Sequence, residues 1–288
     1  METIAKPLIK QGWLRALIYF VAVFLIVVAS QTIVVLAIMQ LTGSAEATND
    51  SLLNFGLLYF SMAVAVFLFT LLMRKVVDRK SFKSLGFTWK GYSNEAGLGF
   101  FASVAMLGIG SLILVALGYL DFISASVDAG PLLLEIAIMV VVAFVEELSF
   151  RGYLLNNLMQ SMNKWVALGI SALLFAAFHG TNPDVTVFAI INIFLAGVLM
   201  GLNYIFTKNL WFSIFFHFAW NYFQGPLLGY EVSGLKLTSV LQQSLTGPEL
   251  WTGGKFGFEG SLLCPLLLIV AILLFSYTFL KRYQPVVI

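Results

Sequence analysis

The chain is 288 residues long, 60% apolar and only 10% charged, with 27 Phe and a formal net charge of +2. Soluble domains carry about 25% charged residues, so this composition excludes an ordinary water-soluble globular protein. The net charge says little about partners, but there is no basic–aromatic patch suited to nucleic acid and no Gly-rich phosphate loop; the single cysteine, Cys264, excludes an intramolecular disulfide.

A membrane helix needs roughly 20 apolar residues to cross about 30 Å of hydrocarbon. Eight runs are candidates, at about 15–41, 52–73, 96–119, 131–157, 164–179, 185–206, 209–223 and 262–280, the fifth and seventh being short. The expected fold is all-α: a polytopic integral membrane protein of about eight transmembrane helices, with the active site inside the helical bundle. The first run is too long for a signal-peptide core and no small-residue cleavage site closes it, so it is expected to stay as a retained span. The basic stretch RKVVDRKSFKSLGFTWK (74–90) separates an N-terminal hairpin from six further spans. It reads as a loop that holds positive charge for topology rather than as a lipid-binding surface. The expected organisation is a transmembrane hairpin and basic cytoplasmic loop over 1–94, then a six-helix membrane core over 95–288. The segment 224–261 is rich in Gly and Pro and predicts an ordered, turn-rich loop rather than another helix.

Threading the chain through eight spans puts thirteen Lys and Arg side chains, Arg15 and Arg74 among them, on one set of connections. Only Lys236 and Lys255 fall on the other, and Arg151 lies within a span. Basic flanks resist translocation, so the expected placement is a multi-pass protein of the cell membrane with both termini cytoplasmic.

Ionisable groups deep in a membrane helix are costly and mark function by default. Away from helix ends the spans hold Glu146, Glu147 and Arg151 in the fourth; the only two histidines are His179, closing the fifth, and His217, in the seventh, with Asn221 one turn further on. Glu147 and Arg151 stand at i and i+4 with the acid first, the favourable order for an intrahelical pair. Glu146 lies about 100° away around the helix and is left for chemistry or for a partner on another helix. The midpoint of Glu146 and His179 falls in SMNK (161–164), the polar break between spans four and five. In a tight antiparallel hairpin the two residues would then be level, roughly 20 Å from the turn, with His217 roughly 12 Å above its own cytoplasmic end.

A glutamate in an apolar site is suited to accept and return protons. Histidines can orient water, bind a metal or donate to an oxyanion, and an Asn amide donates without carrying charge. No serine or cysteine stands as an obvious nucleophile beside a histidine, which favours direct attack by water, and the zinc signature HExxH is absent. Phe175 is read as packing or as shaping the cavity, and Asn192 as making an interhelical hydrogen bond rather than lining the site.

EELSFR (146–151), FAAFH (175–179) and HFAWN (217–221) match EExxxR, FxxxH and HxxxN in that order. Over about 131–223 the chain thereby resembles the CAAX protease and bacteriocin-processing family (CPBP, or Abi), which includes the type II CAAX prenyl endopeptidases. The resemblance implies catalytic roles for Glu146, His179, His217 and Asn221, with Glu147 and Arg151 supporting the helix. It leaves open a Zn²⁺ or other divalent metal held through Glu146, His179 and His217, since both metalloprotease and metal-free glutamate mechanisms have been proposed for the family. The function implied is an intramembrane endopeptidase acting on a membrane-associated peptide or a prenylated, CAAX-like lipidated protein in the bilayer. The alternative is a non-proteolytic membrane partner, such as a bacteriocin self-immunity or scaffold protein.

Overall fold

The computed structural model describes residues 6–44 and 52–283. Eight helices make up the bundle: α1 Gly12–Thr42, α2 Leu52–Leu72, α3 Ser93–Ala116, α4 Ala129–Glu147, α5 Lys164–Phe178, α6 Val187–Thr207, α7 Trp211–Tyr222 and α8 Leu263–Arg282. Among the described residues seven of them are long and apolar enough to cross a membrane, α2 when counted on to Val77, α4 to Leu158 and α5 to Thr181, and the protein is a multi-pass membrane protein. The exception is α7, whose 12 residues rise only about 18 Å at 1.5 Å per residue. It is enclosed by α3, α4 and α6, so its polar face meets protein rather than lipid.

Local signals explain the boundaries. Asn163 caps α5 by accepting from the Trp165 amide at 2.9 Å, and Thr186 caps α6 by accepting from Ala189 at 3.1 Å. The polar break expected at 161–164 is thus a true turn, and α4 and α5 form the antiparallel hairpin read from the sequence. The α4 helix does not stop at Glu147: it widens into an i→i+5 turn over Leu148–Leu155, a local departure often found at functional sites.

Small residues let the helices close up. A Cβ on Gly99 of α3 would lie 2.2 Å from the Phe212 carbonyl oxygen of α7, and one on Gly197 of α6 would lie 3.1 Å from the Ala172 Cα of α5. Both are the close backbone approaches that membrane bundles use in place of a hydrophobic driving force. One apolar core lies among α3, α5, α6, α7 and α8, and a second joins α1 and α2 to the end of α4.

The segment 224–261 is turn-rich as expected, with two additions, a single helical turn over Glu249–Thr252 and a strand. Leu241–Leu245 (β2) pairs antiparallel with Leu120–Ala125 (β1) in the α3–α4 connection. Each strand is short, and the partners are more than a hundred residues apart in sequence, so no hairpin signal marks them.

Arg15 and Arg74, counted above as loop cations, are buried. Arg15 Nη1 meets Asp78 Oδ1 at 2.6 Å and Arg74 Nη1 meets Asp78 Oδ2 at 2.7 Å, with all three side chains at most 1% exposed. Arg15 also donates to Gln160 at 3.0 Å, and Tyr153 and Asn157 donate to Asp78 at 3.4 Å. The cluster fastens the start of α1 and the end of α2 to the far end of the α4 segment. A charge count along the chain sees the cations but not their shared carboxylate. Lys80 stands nearby, and its own burial, followed by repulsion from Arg74, holds its amine below the usual lysine range.

Candidate active site

Glu146 and Glu147 end the regular part of α4, just before the widened turn. His179 follows the last residue of α5, and His217 and Asn221 lie one turn apart on α7. The bundle brings these residues together. His179 Nε2 is 3.7 Å and His217 Nε2 3.9 Å from the same atom, Glu146 Oε2. That oxygen is sealed from solvent and accepts no hydrogen bond among the described residues.

The other ring nitrogens fix how the histidines present themselves. His179 Nδ1 lies 2.8 Å from the Phe175 carbonyl oxygen. A carbonyl only accepts, so Nδ1 carries the hydrogen and, in the neutral ring, Nε2 is bare. His217 Nδ1 lies 3.0 Å from Glu147 Oε1, and the same argument leaves its Nε2 bare too. Two imidazole lone pairs and a carboxylate oxygen therefore face one another, three acceptors of which a water, with two hydrogens to give, satisfies two.

Glu147 does more than pair with Arg151. Its Oε1 accepts from Arg151 Nη1 at 2.8 Å and also from His217, so one buried oxygen holds both the cation and the ring. Arg151 further donates to the Gly197 carbonyl of α6 at 3.1 Å and lies 4.3 Å from the Phe175 ring centroid. Phe175 thus both carries the carbonyl that orients His179 and forms a lid over the guanidinium.

Glu146, His179, His217 and Phe175 line a cavity of about 370 Å³, within the usual range for ligand sites. Asn221 lines it, and its side chain makes no hydrogen bond among the described residues. Asn192 lines it as well, but its amide donates to the carbonyls of Glu259 (2.7 Å) and Ser261 (2.9 Å), in the loop before α8 rather than on a neighbouring helix. Two further contributors had no motif to reveal them. Glu259 accepts from Trp220 Nε1 at 2.9 Å and from the Ser233 hydroxyl at 2.6 Å, pinning the 224–261 loop over α7. The N-terminal hairpin supplies a wall, with Phe24 and Val28 from α1 and Phe55, Tyr59 and Met62 from α2.

A metal fares less well. Among the described residues no three His, Cys, Asp or Glu side chains are placed to hold a metal ion. The separations at Glu146 exceed the roughly 3.3 Å between ligands of a tetrahedral site with bonds of about 2.0 Å. As arranged, Glu146, His179 and His217 do not form a Zn²⁺ site.

Residues 128–223 match the family model described as type II CAAX prenyl endopeptidase Rce1-like. No curated protein matches the chain. The matched third of the sequence begins at the residue that caps α4, ends just beyond α7, and contains all seven residues of the three motifs. Over residues 128–223 this multi-pass membrane protein is therefore similar to the type II CAAX prenyl endopeptidase Rce1-like family.

Proposed function

We propose that the protein is an intramembrane endopeptidase that hydrolyses a peptide bond in a membrane-associated, CAAX-like lipidated protein, using water activated by Glu146. The observation that carries this reading is the unsatisfied Glu146 Oε2, facing two histidine Nε2 atoms beside a cavity. Water admitted beside the Glu146 carboxylate, its second hydrogen donated to one histidine Nε2, gives one proton to Glu146 as its oxygen attacks the scissile carbonyl carbon, and the carbonyl electron pair moves onto oxygen. The Asn221 amide is the side chain on α7 suited to donate to that oxyanion. Collapse re-forms the carbonyl and breaks the C–N bond, and Glu146 returns the proton to the leaving nitrogen. His179 or His217 accepts the water's other hydrogen at Nε2, each ring being fixed through Nδ1.

The test is cleavage by the purified protein in liposomes, using a farnesylated CAAX peptide and unlipidated controls, with and without a chelator. Cleavage that persists with chelator and is lost in His217→Ala and Glu146→Gln supports the reading. Silence from folded wild type across the panel overturns it in favour of the non-proteolytic membrane partner.

Glu147 gives a sharper test within this scheme. Glu147→Gln is expected to reduce turnover about 10- to 100-fold, the usual scale for a group that orients a ligand or base, and to lower the unfolding midpoint because Arg151 loses its partner. Glu147→Gln combined with Arg151→Met should recover the midpoint but not the turnover. Recovery of both would show that Glu147 serves only the ion pair.

The basic bias of the connections supports cytoplasmic termini. A cysteine at exposed Lys236 should react with an impermeant maleimide on intact cells, and one at exposed Lys83 only after permeabilisation. The native Cys264 is buried and adds little background. The reverse pattern would invert the topology.

A further inference from the structure

Tyr59 lies on α2, outside the matched region, in an otherwise apolar helix. Its ring packs against Phe55, with centroids 4.7 Å apart, and joins the apolar cluster of Ile138, Met139 and Val142 on α4. That packing fixes the ring at the wall of the cavity holding Glu146, His179, His217 and Asn221. It is within electrostatic range of Glu146. Its hydroxyl makes no hydrogen bond among the described residues, unlike Tyr19, Tyr153, Tyr204 and Tyr230, whose hydroxyls are all engaged.

The chemistry has a shortage that this hydroxyl fills. A developing oxyanion needs donors, whereas Nδ1 is the nitrogen that carries hydrogen in both histidines, leaving the neutral rings with acceptors toward the cavity. Asn221 and Tyr59 carry donors that do not depend on histidine protonation. They approach from different sides, Asn221 from α7 and Tyr59 from the N-terminal hairpin.

On the proposed protease reading, we infer that Tyr59 is a further catalytic residue, its hydroxyl donating a hydrogen bond to the scissile carbonyl oxygen as it becomes an oxyanion, and before that to the water held by Glu146. No proton is transferred from the phenol. The N-terminal hairpin is then part of the active site, and the matched region alone is an incomplete one.

The full-length protein in liposomes tests this with Tyr59→Phe, which removes one oxygen and keeps the ring packing. An unchanged unfolding midpoint, a fall in kcat of about 10²-fold as for loss of one oxyanion donor, and a nearly unchanged KM are expected. Equal kcat in wild type and Tyr59→Phe would overturn the role. A second readout needs no substrate: the infrared antisymmetric stretch of the Glu146 carboxylate, identified by its disappearance in Glu146→Gln. That band should move in Tyr59→Phe. A protein that cleaves nothing but shows the moved band loses the protease reading while keeping the placement of Tyr59 against Glu146. An unmoved band overturns that placement.

Discussion

Glu146→Gln is expected to lower kcat by about 10²–10⁴-fold, the usual contribution of a general base, while leaving the fold intact. The amide has nearly the shape of the carboxyl, and Glu146 makes no hydrogen bond among the described residues that the change would break. The substitution may be compared with Glu147→Gln, one residue away. There the side chain is fully buried and engaged by Arg151 and His217, so stability falls together with activity. Thermal unfolding in detergent beside liposome cleavage separates the two. If Glu146→Gln lost stability as Glu147→Gln does, Glu146 would be a structural acid and the water-activating scheme would fail.

Asp78→Ala should be the most destabilising single change. Arg15 and Arg74 both depend on Asp78 and are as buried as it is. Removing one member of a buried charge cluster typically costs about 3–5 kcal/mol, because uncompensated charge is left behind. Here two cations are stranded against one lost anion. Arg15→Met should cost less, since the Arg74–Asp78 pair survives it. The reference is Asp121→Ala, at an exposed position on β1, where little change is expected. Because the cluster fastens the hairpin that walls the cavity, Asp78→Ala should also reduce cleavage at temperatures where the protein is still folded. Unfolding midpoints for Asp78→Ala and Asp121→Ala that agree within error would show that the cluster contributes nothing to stability.

Much of the site could be read from spacing alone. Glu146 and His179 stand level because a hairpin with a turn near 161–164 leaves little choice, given a fixed rise per residue. The i, i+4 spacing likewise predicted the Glu147–Arg151 pair. What spacing does not reveal is the rotation of one helix against another. Whether His217 turns its Nδ1 toward Glu147 depends on how α7 lies against α4, so the second task of Glu147 was hidden. Arg15 and Arg74 misled for a different reason. Basic residues at span ends are ordinarily solvated, and only the fold shows that Asp78 collects two of them. Tyr59 and Glu259 carry no motif, and they reach the cavity from segments distant in sequence.

The charged residues facing the cavity are Glu146 and Glu259, and none of its lining residues is a Lys or Arg; Arg151 is turned away behind Phe175. On the proposed protease reading, a peptide drawn inside would meet carboxylates and amide dipoles but no Lys or Arg among the described lining residues. On that reading the cavity would favour neutral or basic segments over acidic ones, which its carboxylates repel in a low dielectric.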